Sequence, residues 1–299
     1  MTSSQVRPIR SALYLPASNQ RAIEKSRALP SDVVIFDLED AVAPGQKAAA
    51  RANLVLAFGG AHATRRHVRV IRVNGMESPL LADDLDTVAT CKPDAVLLPK
   101  VSSVQDVVEF ARRAFSHGAG TVPALWVMIE TAQGLTQLSE IVAAGVRGSP
   151  RLECLVLGTN DIARETGVSL MDHRRYMIPW LLSVVLAAKA NGVSVLDGVW
   201  NDFKDMTGFE DEARQSQLMG FDGKTLIHPS QIDFANIAFS PSPEAIKDAR
   251  AIVAAFADPV NAGSGVINMD GRMVELLHLE MARRTLQIAE AIQSSGGTP

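Results

Sequence analysis

Cysteine is nearly absent, with only Cys91 and Cys154 among 299 residues and no CxxC spacing. That excludes a disulfide-built secreted scaffold and a thiolate zinc centre, and fits two core thiols in a reducing compartment. Aromatic residues make up 5% and the formal net charge is -4, so the basic field of a nucleic-acid binder is missing. No uninterrupted apolar run reaches the roughly 18 residues that a membrane span needs. The opening MTSSQVRPIR lacks the apolar core of a signal peptide. These absences predict a cytoplasmic protein with neither a membrane nor a nucleic-acid partner, acting on small molecules. Three catalytic signatures are missing as well: HExxH for zinc, the GxSxG elbow of a Ser-His-Asp hydrolase, and a GxGxxG turn after the first strand.

Apolar residues are plentiful, at 47% against 21% charged, which is ample for a core. The stretch ALWVMIETAQG, Ala124 to Gly134, is hydrocarbon up to Ile129 and then presents Glu130. Bounded by Pro123 and Gly134, it reads as a strand buried on both faces with an acid at its carboxyl end. Seven further runs have the same form: 11–16, 32–40, 67–74, 94–100, 152–158, 194–198 and 224–228. Helical patterns separate them, opened by signals such as Ser18-Asn19, Pro44 and Ser102-Ser103. Eight strand–helix units predict a (β/α)8 TIM barrel rather than a doubly wound open sheet, which lacks its glycine-rich first turn here. The barrel is expected over residues 1–258. Beyond it, NAGSGVINMDGRMVE and a helix from about Glu275 to Ile292 form a C-terminal appendage, 259–299, readable as a helical lid or as a helix packed on the barrel flank.

In a barrel the strand ends share one mouth: Asp37, Glu39 and Asp40; Arg72 and Asn74; Lys100; Glu130; Asp161; Asp197; His228. Glu130 and Asp161 end neighbouring strands, and a divalent cation keeps two half-desolvated carboxylates ionised together. Oxygen ligands alone suit Mg²⁺ or Mn²⁺. Arg72 adds a fixed cation, which with a metal points to a carboxylate substrate and enolate chemistry; the alternative for Arg72 is an ion pair with Asp37 or Asp40.

Seven ordered motifs, RSALYLPAS, VVIFDLEDAV, RVNG, LLPKV, IETAQGL, LGTNDIA and GFDGKTLIHPSQI, resemble the citrate lyase β-subunit-like (CitE-like) proteins of the HpcH/HpaI aldolase superfamily, relatives of malyl-CoA and citramalyl-CoA lyases. The resemblance implies the barrel, Mg²⁺ on Glu130 and Asp161, and Arg72 against the reacting carbonyl. It implies a catalytic Asp270 delivered by the lid of a neighbouring subunit in a homotrimer or homohexamer. Glu39 and Asp40 match its DLED acids, while Arg10, Lys25 and the segment holding His228 match regions that accommodate CoA. The expected activity is a Mg²⁺-dependent carbon–carbon lyase that cleaves a 3-hydroxyacyl-CoA of malyl-, citramalyl- or citryl-CoA type into a keto acid and acetyl-CoA. Its rivals are condensation with thioester hydrolysis at the same site, a citrate lyase β-subunit acting on an acyl-carrier thioester, an aldolase acting without CoA, and a non-enzymatic binding barrel.

Overall fold

The computed structural model describes residues 7–59, 67–117 and 124–294. The opening MTSSQV, Pro123 and residues 295–299 of the expected appendage lie outside them. The chain divides into two compact units, one from Ile9 to Ala238 and one from Phe239 onward together with Arg7 and Pro8.

The first unit is the expected barrel. Its strands are β1 (Ser11–Pro16), β2 (Val33–Asp37), β3 (Val68–Arg72), β4 (Ala95–Leu98), β5 (Ala124–Ile129), β6 (Leu152–Leu157), β7 (Ser194–Asp197) and β8 (Gly223–Leu226). They pair in sequence order, all parallel, and β8 closes on β1. The intervening helices include α1 (Gln20–Ser26), α2 (Lys47–Phe58), α3 (Leu81–Cys91), α4 (Val104–Ser116), α5 (Ala132–Thr136), α6 (Leu138–Arg147), α7 (Thr159–Thr166), α8 (Ile178–Ala190), α9 (Met206–Met219) and α10 (Ile232–Ala238). The start signals act as read. Asn19 caps α1 by accepting the Ala22 N–H at 3.0 Å, and Ser103 forms a capping box with Asp106 at the head of α4. At Pro44 the chain first makes one 3₁₀ turn, Pro44–Gln46, before α2 begins.

Successive strand residues point to opposite faces, and this alternation decides which strand ends reach the mouth. Ala12, Val33, Ile35, Val70, Ala95, Leu97, Trp126, Met128, Cys154, Val156 and Leu196 fill the barrel interior, with Tyr14 packed against them. Counting on by two from these residues gives Asp37, Arg72, Glu130 and Gly158 as the next inward positions. Asp197 falls out of phase with Leu196 and faces the helix layer instead.

The second unit is a helix pair with a hairpin. In it, α11 (Pro243–Ala257) packs against α12 (Leu276–Ser294), and β9 (Val266–Met269) pairs antiparallel with β10 (Arg272–Glu275). Asp270 (φ 51°) and Gly271 (φ 82°) form the two-residue turn, the Asp-Gly pairing that matches hairpin twist. The division at Phe239 precedes the boundary at 259 expected from the sequence. The reason is that α10 already follows β8 as the eighth barrel helix, which leaves α11 to bury its apolar face on α12. No helix among the described residues is long and apolar enough to cross a membrane.

Candidate active site

Glu130 is 1% exposed. Its Oε1 accepts the main-chain N–H of Lys100 at 2.7 Å, and its buried Oε2 has no hydrogen-bond partner among the described residues. Burial, then the charges of Glu39 and Asp161, push its carboxyl up to about 8. Gly158, at the end of β6, makes room for it. A Cβ there would stand 2.4 Å from Glu130 Cβ and 2.6 Å from Oε2, so a side chain at 158 would displace the carboxylate. Asp161 lies in the first turn of α7, partly exposed, with Arg164 Nη2 2.6 Å from its Oδ1.

Arg72, the last residue of β3, is buried and bound bidentately by its register partner Asp37. Nε reaches Oδ1 at 2.8 Å and Nη2 reaches Oδ2 at 2.5 Å. The ion pair weighed from the sequence is therefore real, and it leaves Nη1 aimed elsewhere, 3.1 Å from Glu39 Oε2. The Tyr14 ring supports the guanidinium from one side, 4.9 Å from Cζ to centroid. Burial alone would lower the Arg72 pKa, but the Asp37 charge outweighs it and fixes a permanent cation. Asp37 also shapes the next loop, accepting the N–H groups of Glu39 at 2.7 Å and Ala41 at 3.0 Å.

Glu39 is 4% exposed and lies between two cations. Lys100 Nζ is 2.5 Å from Oε1, and Arg72 Nη1 stands beside Oε2 without hydrogen-bond alignment. Burial raises its pKa, partly offset by Arg72 and Lys100. Asp40 is exposed on the rim, 3.3 Å from the same ammonium. Lys47 and Asn74 fix the loop from behind, with Lys47 Nζ donating to the carbonyls of Leu38 and Glu39 at 2.7 Å and Asn74 Nδ2 to Leu38 at 3.0 Å. Lys47 escaped the sequence reading because it opens α2 like any surface lysine; its burial is the signal, and that is visible only in the fold.

Arg10 lies away from this cluster. Arg10 precedes β1 at the barrel's amino end, 4% exposed, and holds Asp32 through Nε and Nη2 at 2.9 Å each. That contact ties β1 to β2 on the face opposite the mouth, where residues serve stability. Lys25 is exposed on the last turn of α1. His228 follows β8 on the mouth side, capping the turn Pro229–Gln231 and stacking on Phe203 with centroids 4.8 Å apart. Asp270 is exposed at the hairpin tip of the second unit. Asp197 is drawn into a buried ion cluster with Lys224 and Arg174 rather than into the mouth.

No three His, Cys, Asp or Glu residues among the described ones form a ready metal cluster, so a cation here would rest on two protein carboxylates, with water and substrate completing its shell. The donor set fits that: Glu130 Oε2 is an oxygen donor, buried and without a hydrogen-bond partner among the described residues, and the charge of Asp161 is near enough to raise Glu130.

Residues 10–229 match the model of the HpcH/HpaI aldolase/citrate lyase family. A (3S)-malyl-CoA thioesterase of Cereibacter sphaeroides is 45% identical over 288 residues, 96% of this chain and 97% of the relative. An L-malyl-CoA/beta-methylmalyl-CoA lyase of the same organism is 34% identical over 312 aligned positions, covering 96% of each chain. Among solved structures, CitE from Mycobacterium tuberculosis in complex with magnesium, acetoacetate and coenzyme A matches with a TM-score of 0.74 and 31% identity, covering 95% of this chain and 98% of that one. With a closed eight-stranded barrel, a family match across most of its length and full-length enzyme relatives that act on acyl-CoA, this chain belongs to the HpcH/HpaI aldolase/citrate lyase family.

Proposed function

We propose that the protein is a Mg²⁺-dependent enzyme that hydrolyses the CoA thioester of a short hydroxydicarboxylate of the malyl-CoA type. The observation that carries the metal-dependent reading is the buried Glu130 Oε2, without a partner among the described residues and set beside a fixed Arg72. The choice of hydrolysis follows the higher identity to the thioesterase than to the lyase. Glu130 and Asp161 would hold the cation, which when bound supplies Lewis-acid polarisation of substrate oxygens.

The chain's own residues account for the remaining chemistry. Arg72, immobilised by Asp37, offers Nη1 to the thioester carbonyl oxygen, where negative charge develops. Glu39 is a buried carboxylate with a raised pKa beside that cation, and it accepts a proton from the attacking water. The water oxygen bonds to the carbonyl carbon, the C–S bond breaks, and the departing thiolate takes up the proton to give free CoA and the dicarboxylic acid. Lys100, which also meets Asp40 at the rim, holds Glu39, and the exposed Phe203–His228 stack offers an aromatic face for a CoA moiety.

A second reading is favoured by the lyase relative. The same Arg72 would stabilise a thioester enolate formed by carbon–carbon cleavage, and Asp270 from an adjoining subunit would protonate it, giving a keto acid and acetyl-CoA. Incubation with (3S)-malyl-CoA and Mg²⁺ separates the two. Free thiol and malate are expected; glyoxylate and acetyl-CoA with no thiol release would transfer the assignment to the lyase. Mixing Asp270→Ala with Arg72→Ala protein tests the shared site, since recovered turnover requires the two lesions to lie on different chains.

A further inference from the structure

Three carboxylates of the mouth, Glu39, Asp161 and Glu130, differ in their counter-charges. Glu39 has two, the buried Arg72 at 3.1 Å and Lys100 at 2.5 Å, the latter on a side chain 42% exposed. Asp161 has one, Arg164 at 2.6 Å, carried on a side chain 77% exposed and so readily displaced. Glu130 has only a main-chain N–H on Oε1, and its Oε2 has no partner among the described residues. A cation entering the mouth therefore meets an open oxygen on Glu130, a loosely paired one on Asp161, and a Glu39 already held by resident positive charge.

Lys100 links all of this. It is a residue with a Cβ in the left-handed region, φ 57°, a conformation that costs energy and persists only where the surroundings impose it. In that conformation its N–H points to Glu130 Oε1 at 2.7 Å while its ammonium reaches Glu39 Oε1 and Asp40.

We infer that Lys100 is a positioning residue whose ammonium occupies Glu39 and so keeps it out of the metal's ligand set, restricting that set to Glu130 and Asp161. This rests on the proposed metal assignment. Glu39 then stays beside Arg72 as a proton acceptor instead of being drawn onto the cation. An ordinary ion-pair role predicts lost stability when Lys100 is changed, with at most the roughly two- to threefold tightening of Mg²⁺ that removing one nearby positive charge gives. The positioning role predicts a larger gain in metal affinity coupled to a loss of turnover, because affinity follows the number of charged ligands available.

The test uses the full chain and Mg²⁺ alone, titrated by calorimetry without substrate, with kcat and KM measured alongside. Lys100→Met should bind Mg²⁺ about 5- to 10-fold more tightly while kcat falls by about 100-fold with a smaller change in KM. Lys100→Arg should restore both toward the parent values. Lys100→Gly, which relieves the left-handed backbone and keeps the N–H, should melt no lower than the parent and show the same tightening. Mg²⁺ binding that is weaker, unchanged or tightened by no more than about threefold in Lys100→Met and Lys100→Gly, with Glu130→Gln still unable to bind, overturns the inference and spares the metal assignment. Full Mg²⁺ affinity in Glu130→Gln overturns the assignment and the inference with it.

Discussion

At β7 and β8 the barrel buries Asp197, Lys224, Arg174 and Glu212 as a closed cluster, whereas at the mouth it buries Glu130, Glu39 and Arg72 as an open one. In the closed cluster Lys224 Nζ donates to Asp197 at 2.6 Å, to the Gly198 carbonyl at 2.6 Å and to Glu212 at 2.8 Å, using all three of its protons. Arg174 Nη1 spans both Asp197 oxygens at 2.9 and 3.0 Å, and its Nε meets Glu212 at 3.0 Å. Burial alone would raise the Asp197 pKa, but Lys224 and Arg174 overcome it and hold the carboxyl well below the usual range. In the open cluster burial wins, and Glu130 rises to about 8. Both regions bury charge; only the mouth leaves an oxygen for something else to complete.

Substitutions that exchange stability for activity should separate the two clusters. Glu130→Gln keeps size and removes a charge that the apo fold disfavours, so the melting temperature above pH 8 should hold or rise. Mg²⁺ binding should vanish and turnover fall by about 10³-fold, the scale of several kcal/mol of metal-derived charge stabilisation. Lys224→Met should do the reverse, leaving Asp197 and Glu212 buried with one partner fewer and costing about 3–5 kcal/mol of folding stability. Urea unfolding of both variants with Mg²⁺ calorimetry reads the contrast directly. A Lys224→Met protein as stable as the parent would remove the distinction.

The eight strands were legible because parallel barrel strands are buried on both faces and stand out as continuous apolar runs. That same continuity hid the facing of each strand end. With no polar alternation, nothing in SVLDG distinguished Asp197, which points to the helices, from Glu130, which points to the mouth; the filled interior supplies that phase. The place of Arg10 was hidden for another reason. The motif RSALYLPAS spans a whole strand, and six residues at about 3.3 Å each put its arginine and its final serine at opposite ends of the barrel. The hairpin of the second unit was available in principle, since VINMDGRMVE sets two short apolar runs about an Asp-Gly pair, but the segment read first as part of a lid. Lys100 was visible as a strand end, while its left-handed backbone was not.

A smaller effect concerns pH. Glu130 has an ordinary value of 4.5 and a folded value of about 8 without metal, so between those limits the folded chain holds a proton that the unfolded chain has released. Its contribution to apo stability should therefore decline as pH rises from about 4.5 to 8 and level off above. Mg²⁺ needs the ionised form, so affinity should rise by up to about tenfold per pH unit toward 8 and then flatten, with one proton released on binding. Calorimetry in buffers of different ionisation heat counts that proton. A flat affinity from pH 6 to 9 would show that Glu130 is ionised before the metal arrives, and the two clusters would be electrostatically alike.

The smallest effect is expected at Arg164, where the mouth's acid Asp161 has an exposed partner at 2.6 Å, three residues on along α7. An i,i+3 pair between a partly buried acid and an exposed arginine is screened by water, and Arg164→Ala should change folding stability by no more than about 0.5 kcal/mol. Removing its positive charge nonetheless favours a cation at Asp161, so Mg²⁺ affinity should tighten by about two- to threefold at low salt, and the gain should shrink as ionic strength rises. The buried pair Lys224–Asp197 should show no such salt dependence in its stability contribution, because counter-ions cannot reach it. Measuring both variants at 20 and 500 mM NaCl therefore asks whether Asp161 belongs with the open cluster or the closed one. A large, salt-independent loss of stability in Arg164→Ala would place it with the closed cluster and leave Glu130 as the one carboxylate free to receive a metal.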